Sequence, residues 1–383
     1  MNYGRHWIDQ NDIDSVVSIL KGDFLTQGPV VEQFEDEICK QTEAKFCIAV
    51  ANGTAALQLA VMALDIEEGK EGITSPITFV ASSNAMIYSN LKPNFADIDA
   101  EDYTIDPEEI KKCITINTEL IIPVHFAGQP AKMKEIKEIA DENSCYIIED
   151  AAHAIGSIYE DGTPVGNCKY SDMTIFSFHP VKTITSAEGG AILTNNEELY
   201  NKLCLLRSHG ITKKPGKLGQ NPGPWYYEMQ QLGYNYRLSG LHGALGLSQL
   251  KKLPMFKQRR REIITTYNQS FDNTNWIIIP HERESLDSCF HLYVIQIDFI
   301  KINKTRKTVM ELLRSNEIGT QVHYIPVHLQ PYYKDNFGYQ KGDYPIAEKY
   351  YDNCLSLPLY ASLTVEQQGF IAETIKGLYG KLT

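Results

Sequence analysis

Ile147-Ile148-Glu149-Asp150-Ala151-Ala152-His153 is an apolar run that stops at two acids. A run this short and this apolar reads as a buried strand. Outward from it, similar runs recur at Phe46–Ala51, Gly72–Ser75, Lys92–Asp97, Leu120–His125, Cys145–Glu149, Met173–Phe178 and Ala191–Thr194. Intervening stretches such as Thr54–Leu64 and Pro130–Asn143 carry helical apolar spacing. Strands that alternate with helices predict an α/β fold with a mainly parallel sheet covered on both faces. Ligands in such sheets bind beyond the carboxyl ends of the strands. The residues that follow each run are therefore the candidates for chemistry.

The pattern changes after about Ser248. A basic helical stretch, Lys251–Asn268, precedes the strand-like His291–Phe299 and the helical Lys304–Asn316. This predicts a large domain over residues 1–248, with an N-terminal segment, and a small α+β C-terminal domain over 249–383. The length of 383 residues suits such a division at roughly 150 residues per domain. A 43% hydrophobic, 22% charged composition excludes disorder for most of the chain.

A net charge of −12 argues against a nucleic-acid binder, so the basic stretch reads as a solvated helix with an inward apolar face. Eight scattered cysteines without a C-x-x-C pair, and an N-terminus without an apolar leader, point to reduced thiols in a cytoplasmic protein. No metal site is expected. The nearest approach to a membrane span, Cys47–Leu64, is broken by Asn52, Gly53, Thr54 and Gln58, so no membrane partner is expected either.

Three constellations carry chemistry. Ala51-Asn52-Gly53-Thr54-Ala55-Ala56 joins a strand to a helix, where small residues and free amides suit a phosphate. A tight turn with Thr54 as helix cap is the plain alternative. Asp150 closes a buried strand and needs a cationic partner, such as a protonated ring nitrogen, unless it merely caps a following helix. His153 lies where it can stack on or bond the same ligand, or rest as a half-buried histidine.

The strongest stretch is Ser177-Phe178-His179-Pro180-Val181-Lys182-Thr183-Ile184-Thr185-Ser186-Ala187-Glu188-Gly189-Gly190. Lys182 sits in a hydroxyl-rich loop after a strand, where partial desolvation lowers an amine's pKa and allows a Schiff base with a carbonyl. Ser177, five residues earlier, is placed to bond a phosphate. An anion site, an aspartate for a pyridinium and a Schiff-base lysine are together what pyridoxal 5′-phosphate requires.

The order of these motifs resembles the DegT–StrS group of sugar aminotransferases, pyridoxal-phosphate enzymes of fold type I. The resemblance runs from about Asp9 to Leu378. It includes Leu25-Thr26-Gln27-Gly28, Asn52-Gly53-Thr54-Ala55, Glu149-Asp150-Ala151-Ala152-His153, Ser177-Phe178-His179 with Lys182, and Glu188-Gly189-Gly190. Further on come Arg207-Ser208-His209-Gly210, Gly233-Tyr234-Asn235-Tyr236-Arg237-Leu238 and His323-Tyr324-Ile325-Pro326.

The resemblance implies that Lys182 is the catalytic lysine and Asp150 the pyridinium partner. It implies that Thr54, Ala55 and Ser177 bind the cofactor phosphate, that Phe79 covers the ring and that His153 lies beside it. Asn235 would reach the phosphate of a neighbouring subunit, which makes the active unit a homodimer. Thr26, Arg237, His323 and Tyr324 are candidate substrate contacts. The implied reaction moves an amino group from L-glutamate, which leaves as 2-oxoglutarate, to C4 of a UDP-linked 4-keto-6-deoxy-N-acetylhexosamine on the way to a pseudaminic acid-type surface sugar.

Alternatives are a GDP- or dTDP-linked keto sugar, a non-catalytic binding module on the same fold, and a cysteine desulfurase using Cys289. A binding module should lack the lysine, and nothing in the sequence around Cys289 supports a reactive thiol.

Overall fold

Successive residues of a strand face opposite sides of its sheet, and here both sides are apolar. Ile48, Ile148, Ile175 and Ile192 enter one buried cluster, while Ala49, Ile147, Phe176 and Leu193 enter another. They lie in β1, β5, β6 and β7 of the seven strands β1 (Phe46–Val50), β2 (Glu71–Thr74), β3 (Lys92–Phe95), β4 (Thr118–Ile122), β5 (Tyr146–Asp150), β6 (Met173–Ser177) and β7 (Gly190–Thr194). The computed structural model that shows them describes residues 1–379. Every apolar run singled out in the sequence up to Thr194 is a strand of one sheet.

The sheet order is β1-β7-β6-β5-β4-β2-β3. Strands β1 to β6 run in one direction and β7 runs against both its neighbours. This is the mixed, mainly parallel sheet expected. Helices cover both faces, as a parallel sheet requires. On one side lie α3 (Gly53–Ala63), through Leu57 and Val61, and α4 (Ala81–Tyr88), through Met86. On the other lie α2 (Pro29–Thr42), through Phe34 and Ile38, and the helix Met133–Asn143, through Ile136 and Ile139. Ahead of them, α1 (Gln10–Lys21) opens with a capping box formed by Asp9 and Asp12.

The C-terminal part builds a three-stranded antiparallel sheet from Ile277–Ile278, Tyr293–Ile297 and Cys354–Leu357. Its core takes Ile263 and Tyr267 of the helix Leu253–Phe271, Leu313 of Arg306–Ser315 and Ile371 of Val365–Lys376. The basic residues of Leu253–Phe271 are engaged within the chain. Arg260 is buried and donates to the carbonyls of Phe290, His291 and Leu359, and Arg261 pairs with Glu282 at 2.9 Å. Among the described residues no helix is long and apolar enough to cross a membrane.

The two parts meet through Ile77, Ile98 and Phe126 against Leu292, Val294 and Tyr350. Because β1 to β6 share a direction, their carboxyl ends lie along one edge. The segments that carry Thr54, Phe79, Asp150 and Ser177 with Lys182 leave that edge from β1, β2, β5 and β6.

Candidate active site

Two glycines allow the close packing at the end of β1. A Cβ on Gly53 would stand 2.9 Å from Cβ of Ser177, and one on Gly190 would stand 2.5 Å from the carbonyl oxygen of Asn52. Ser177, paired across the sheet with Gly190, is thereby pressed against the start of α3. The helix is capped by Asn52, whose Oδ1 accepts the Ala55 N–H at 2.8 Å, so Thr54 is not the cap. Among the described residues, the N–H groups of Gly53 and Thr54 and the hydroxyls of Thr54 and Ser177 have no protein partner. A helix start with free donors and two hydroxyls is a cradle for a phosphate. The Ala55 N–H already has an acceptor.

Of the two acids that end β5, alternation sends Glu149 into the interior. There it meets His125 Nε2 at 2.7 Å and the Thr174 hydroxyl at 3.0 Å. Asp150 faces the edge. It caps no helix, because residues 151–159 contain only turns, loop and an isolated bridge at Ile158. Its Oδ2 accepts the Ser82 hydroxyl at 2.6 Å and its Oδ1 the Ala152 N–H at 3.1 Å.

Lys182 follows β6 in a turn in which its N–H bonds the His179 carbonyl at 2.9 Å. Burial lowers its amine to about 8, although the Asp150 carboxylate acts in the opposite sense. An amine at about 8 has a substantial neutral fraction near neutral pH, and in that form it is a base and a nucleophile toward a carbonyl.

Three histidines lie close enough to Lys182 to feel its charge. Burial, with Lys182 and His323 adding to it, holds His153 well below the ordinary imidazole range. Burial, followed by His153 and Lys182, does the same for His291, and burial with Lys182 brings His323 down to about 4. The His153 and His291 rings are 4.4 Å apart, and each has a buried Nδ1 without a hydrogen-bond partner. The Tyr324 hydroxyl lies 3.2 Å from Nε2 of His153, and the Tyr324 ring is 6.4 Å from that of Phe79. Phe79 is itself 58% exposed. Cys289 sits behind His153, donating to its carbonyl at 3.1 Å, and burial raises the thiol's pKa, which opposes a desulfurase role.

The structure thus draws Asp150, His153, Lys182 and Tyr324 together, with Phe79 at the mouth and Thr54 and Ser177 in the cradle. His323 is 6% exposed, with Nδ1 held by the Ser356 hydroxyl at 2.7 Å. Arg237 is half-buried and donates to Ser208 Oγ at 3.0 Å. Thr26 is exposed and bridges Ser239, and Asn235 is exposed beside Ser208. Sequence reasoning passed over Ser82, Thr78 and His291. A polar Ser82-Ser83-Asn84 inside an otherwise apolar helix was the available signal for the first.

The donor set fits pyridoxal 5′-phosphate: a phosphate cradle, a carboxylate for the ring nitrogen and a desolvated amine for the aldehyde. Residues 6–376 match the DegT/DnrJ/EryC1/StrS aminotransferase family, and the chain belongs to it. It is a pyridoxal-phosphate-dependent sugar aminotransferase.

Spore coat polysaccharide biosynthesis protein SpsC of Bacillus subtilis is 38% identical, over 98% of this chain and 96% of that protein. UDP-4-amino-4,6-dideoxy-N-acetyl-beta-L-altrosamine transaminase of Campylobacter jejuni is 36% identical, over 100% of this chain and 98% of that protein. The solved structure of Helicobacter pylori PseC, an aminotransferase involved in the biosynthesis of pseudoaminic acid, superposes with a TM-score of 0.92 at 32% identity, covering 98% of each chain. Solved structures of the same fold include pyridoxal phosphate and pyridoxamine phosphate forms.

Proposed function

We propose that the enzyme aminates C4 of a UDP-linked 4-keto-6-deoxy-N-acetylhexosamine, with L-glutamate as donor, in the formation of a pseudaminic acid-type surface sugar. The observation that carries the reaction is the desolvated amine of Lys182 beside Asp150, at the mouth shared with Tyr324 and Phe79. The substrate reading is supported by end-to-end likeness to the Campylobacter transaminase and to PseC.

In this proposal Thr54 and Ser177 hold the cofactor phosphate, Asp150 faces the ring nitrogen, and Phe79 and His153 flank the ring. Bound there, pyridoxal phosphate supplies an electron sink for a breaking C–H bond. Lys182, as the neutral amine, takes the α-proton of glutamate and later returns a proton to C4 of the sugar. The neighbouring histidines, held neutral, add no positive charge that would compete for the donor's carboxylate. Tyr324 and His323 line the approach on the sugar side, with Arg237 set for the diphosphate and Thr26 for the sugar nucleotide.

The active unit is a homodimer in this reading. Asn235 is exposed on its own chain, and exposed Trp225, Tyr227, Met229 and Leu232 precede it. It would complete the cradle of a second copy.

A second reading, another nucleotide-linked keto sugar, draws support from SpsC, whose identity to this chain is no lower than that of the Campylobacter enzyme. Steady-state assays with UDP-, dTDP- and GDP-linked 4-keto-6-deoxy sugars separate the two. The expected result is a kcat/KM for the UDP-N-acetyl substrate at least about tenfold above the others, equivalent to roughly 1.4 kcal/mol. A dTDP or GDP sugar turned over faster would overturn the UDP assignment and leave the aminotransferase intact.

A further inference from the structure

Asp150 closes β5, and both its backbone groups are held by the segment that follows β4: its N–H bonds the Pro123 carbonyl at 2.9 Å and its carbonyl accepts the His125 N–H at 3.0 Å. The side chain has no such restraint from the sheet. What restrains it is the first turn of α4. Ser82 is fully buried and Thr78 is 3% exposed. Ser82 Oγ lies 2.6 Å from Asp150 Oδ2 and 2.8 Å from Thr78 Oγ1.

The direction of these bonds follows from proton count. An ionised carboxylate only accepts and each hydroxyl carries one proton, so Ser82 donates to Asp150 and Thr78 donates to Ser82. The Ala152 N–H occupies the other carboxylate oxygen at 3.1 Å. One lone-pair direction on each oxygen is thus taken by the protein, and the carboxylate cannot rotate without breaking a buried charge-assisted bond.

We propose that Thr78 and Ser82 act as a hydroxyl relay that positions Asp150 toward the ring nitrogen of the cofactor. Phe79, which with Thr78 lies in the loop leading into α4, accepts the Ser82 N–H on its carbonyl at 3.3 Å. One short segment therefore sets both the acid and the aromatic ring at the mouth. Ser82 and Thr78 are positioning residues and touch no reacting atom. The inference rests on the reading that Asp150 meets the ring nitrogen.

The test uses the full-length protein stripped of cofactor and titrated with pyridoxal phosphate, comparing wild type, Ser82→Ala, Ser82→Thr, Thr78→Val and Asp150→Asn. Three quantities are read: the Kd for the cofactor, the pH midpoint of its visible absorption band, and the Tm of the cofactor-free protein. A hydrogen bond to a charged group carries roughly a tenfold change in an equilibrium constant. Ser82→Ala is therefore expected to raise Kd about tenfold and to shift the band midpoint by about one pH unit. Ser82→Thr keeps the hydroxyl and should restore both. Thr78→Val should move both in the same direction by a smaller amount, and it carries the test if Ser82→Ala fails to fold.

Unchanged Kd and midpoint in Ser82→Ala and Thr78→Val, with a weakened Asp150→Asn, would overturn the relay alone. So would a Ser82→Thr as weak as Ser82→Ala, because the defect would then be one of packing. An Asp150→Asn that binds and absorbs like wild type would overturn the reading of Asp150 itself.

Discussion

The Tyr324 hydroxyl lies 3.2 Å from Nε2 of His153, so the C-terminal part supplies a hydrogen-bond partner to a histidine beyond the end of β5 in the large sheet. The contact is one direct polar link between the two parts, beside that from Cys289 Sγ to the His153 carbonyl. His153 already has a buried Nδ1 without a partner.

Tyr324→Phe would leave both ring nitrogens of His153 unpaired in a buried place. Such a loss costs about 1–3 kcal/mol, and thermal or urea unfolding of the cofactor-free protein should show it. Because the ring and its packing on Phe79 remain, the variant should still bind the cofactor. Wild-type stability in Tyr324→Phe would mean that water already serves His153.

The cradle gives a sharper expectation for Gly53. An alanine there brings Cβ to 2.9 Å from Ser177 Cβ, so the start of α3 and the end of β6 must part. Helix propensity alone favours alanine over glycine by up to about 1 kcal/mol. Overpacking of about 1–3 kcal/mol outweighs that gain, so Gly53→Ala should bind pyridoxal phosphate more weakly and also lower the Tm. Ser177→Ala should show a smaller loss, and titration of the cofactor-free variants by fluorescence measures both.

The three histidines predict how the cofactor-free protein responds to acid. Their folded pKa values lie below the ordinary imidazole value of 6.5, that of His323 at about 4. As pH falls below 6.5 the unfolded chain takes up their protons first, so stability declines. The His323 contribution stops falling near 4, where the folded state is protonated as well. Each group adds a slope of at most about 1.4 kcal/mol per pH unit. Urea unfolding across that range should be steeper in pH for wild type than for His323→Gln. Parallel profiles would show that His323 does not titrate in this window.

Mixed oligomers test the shared cradle. Lys182→Ala and Asn235→Ala protomers should each be inactive or weak alone. Refolded together, they should regain up to about half the wild-type activity per mixed dimer if Asn235 completes the partner's site, since one of its two sites is then intact. No recovery in a verified mixed dimer would place Asn235 in its own chain's site.

Much of this was legible in the sequence. The runs of the central strands were legible because a strand buried on both faces needs near-continuous apolar residues, whereas edge strand β3, Lys92–Phe95, is half polar and was legible only from its place in the alternation. That the lysine loop and Asp150 sit at the carboxyl edge of the sheet was legible because each follows a buried run in the chain. The cap at the start of α3 was less so. Asn52 and Thr54 are both good capping residues two positions apart, and which one caps depends on where the turn ends. Ser82 and His291 were hidden because their meaning lies in the third dimension. A serine in a helix and a histidine before a strand are each ordinary until Asp150 and His153 come to face them.

The central claim is that Lys182 carries the cofactor and moves the proton. It is tested most directly by the absorption spectrum of the purified protein reconstituted with pyridoxal phosphate, before and after L-glutamate, beside Lys182→Ala. Wild type should show a visible band that glutamate converts to a near-ultraviolet one. In Lys182→Ala the band should be lost or unresponsive, with activity down by roughly 10²–10⁴-fold or more. A wild-type protein that shows no such band, or a Lys182→Ala variant that responds to glutamate as wild type does, would contradict the account.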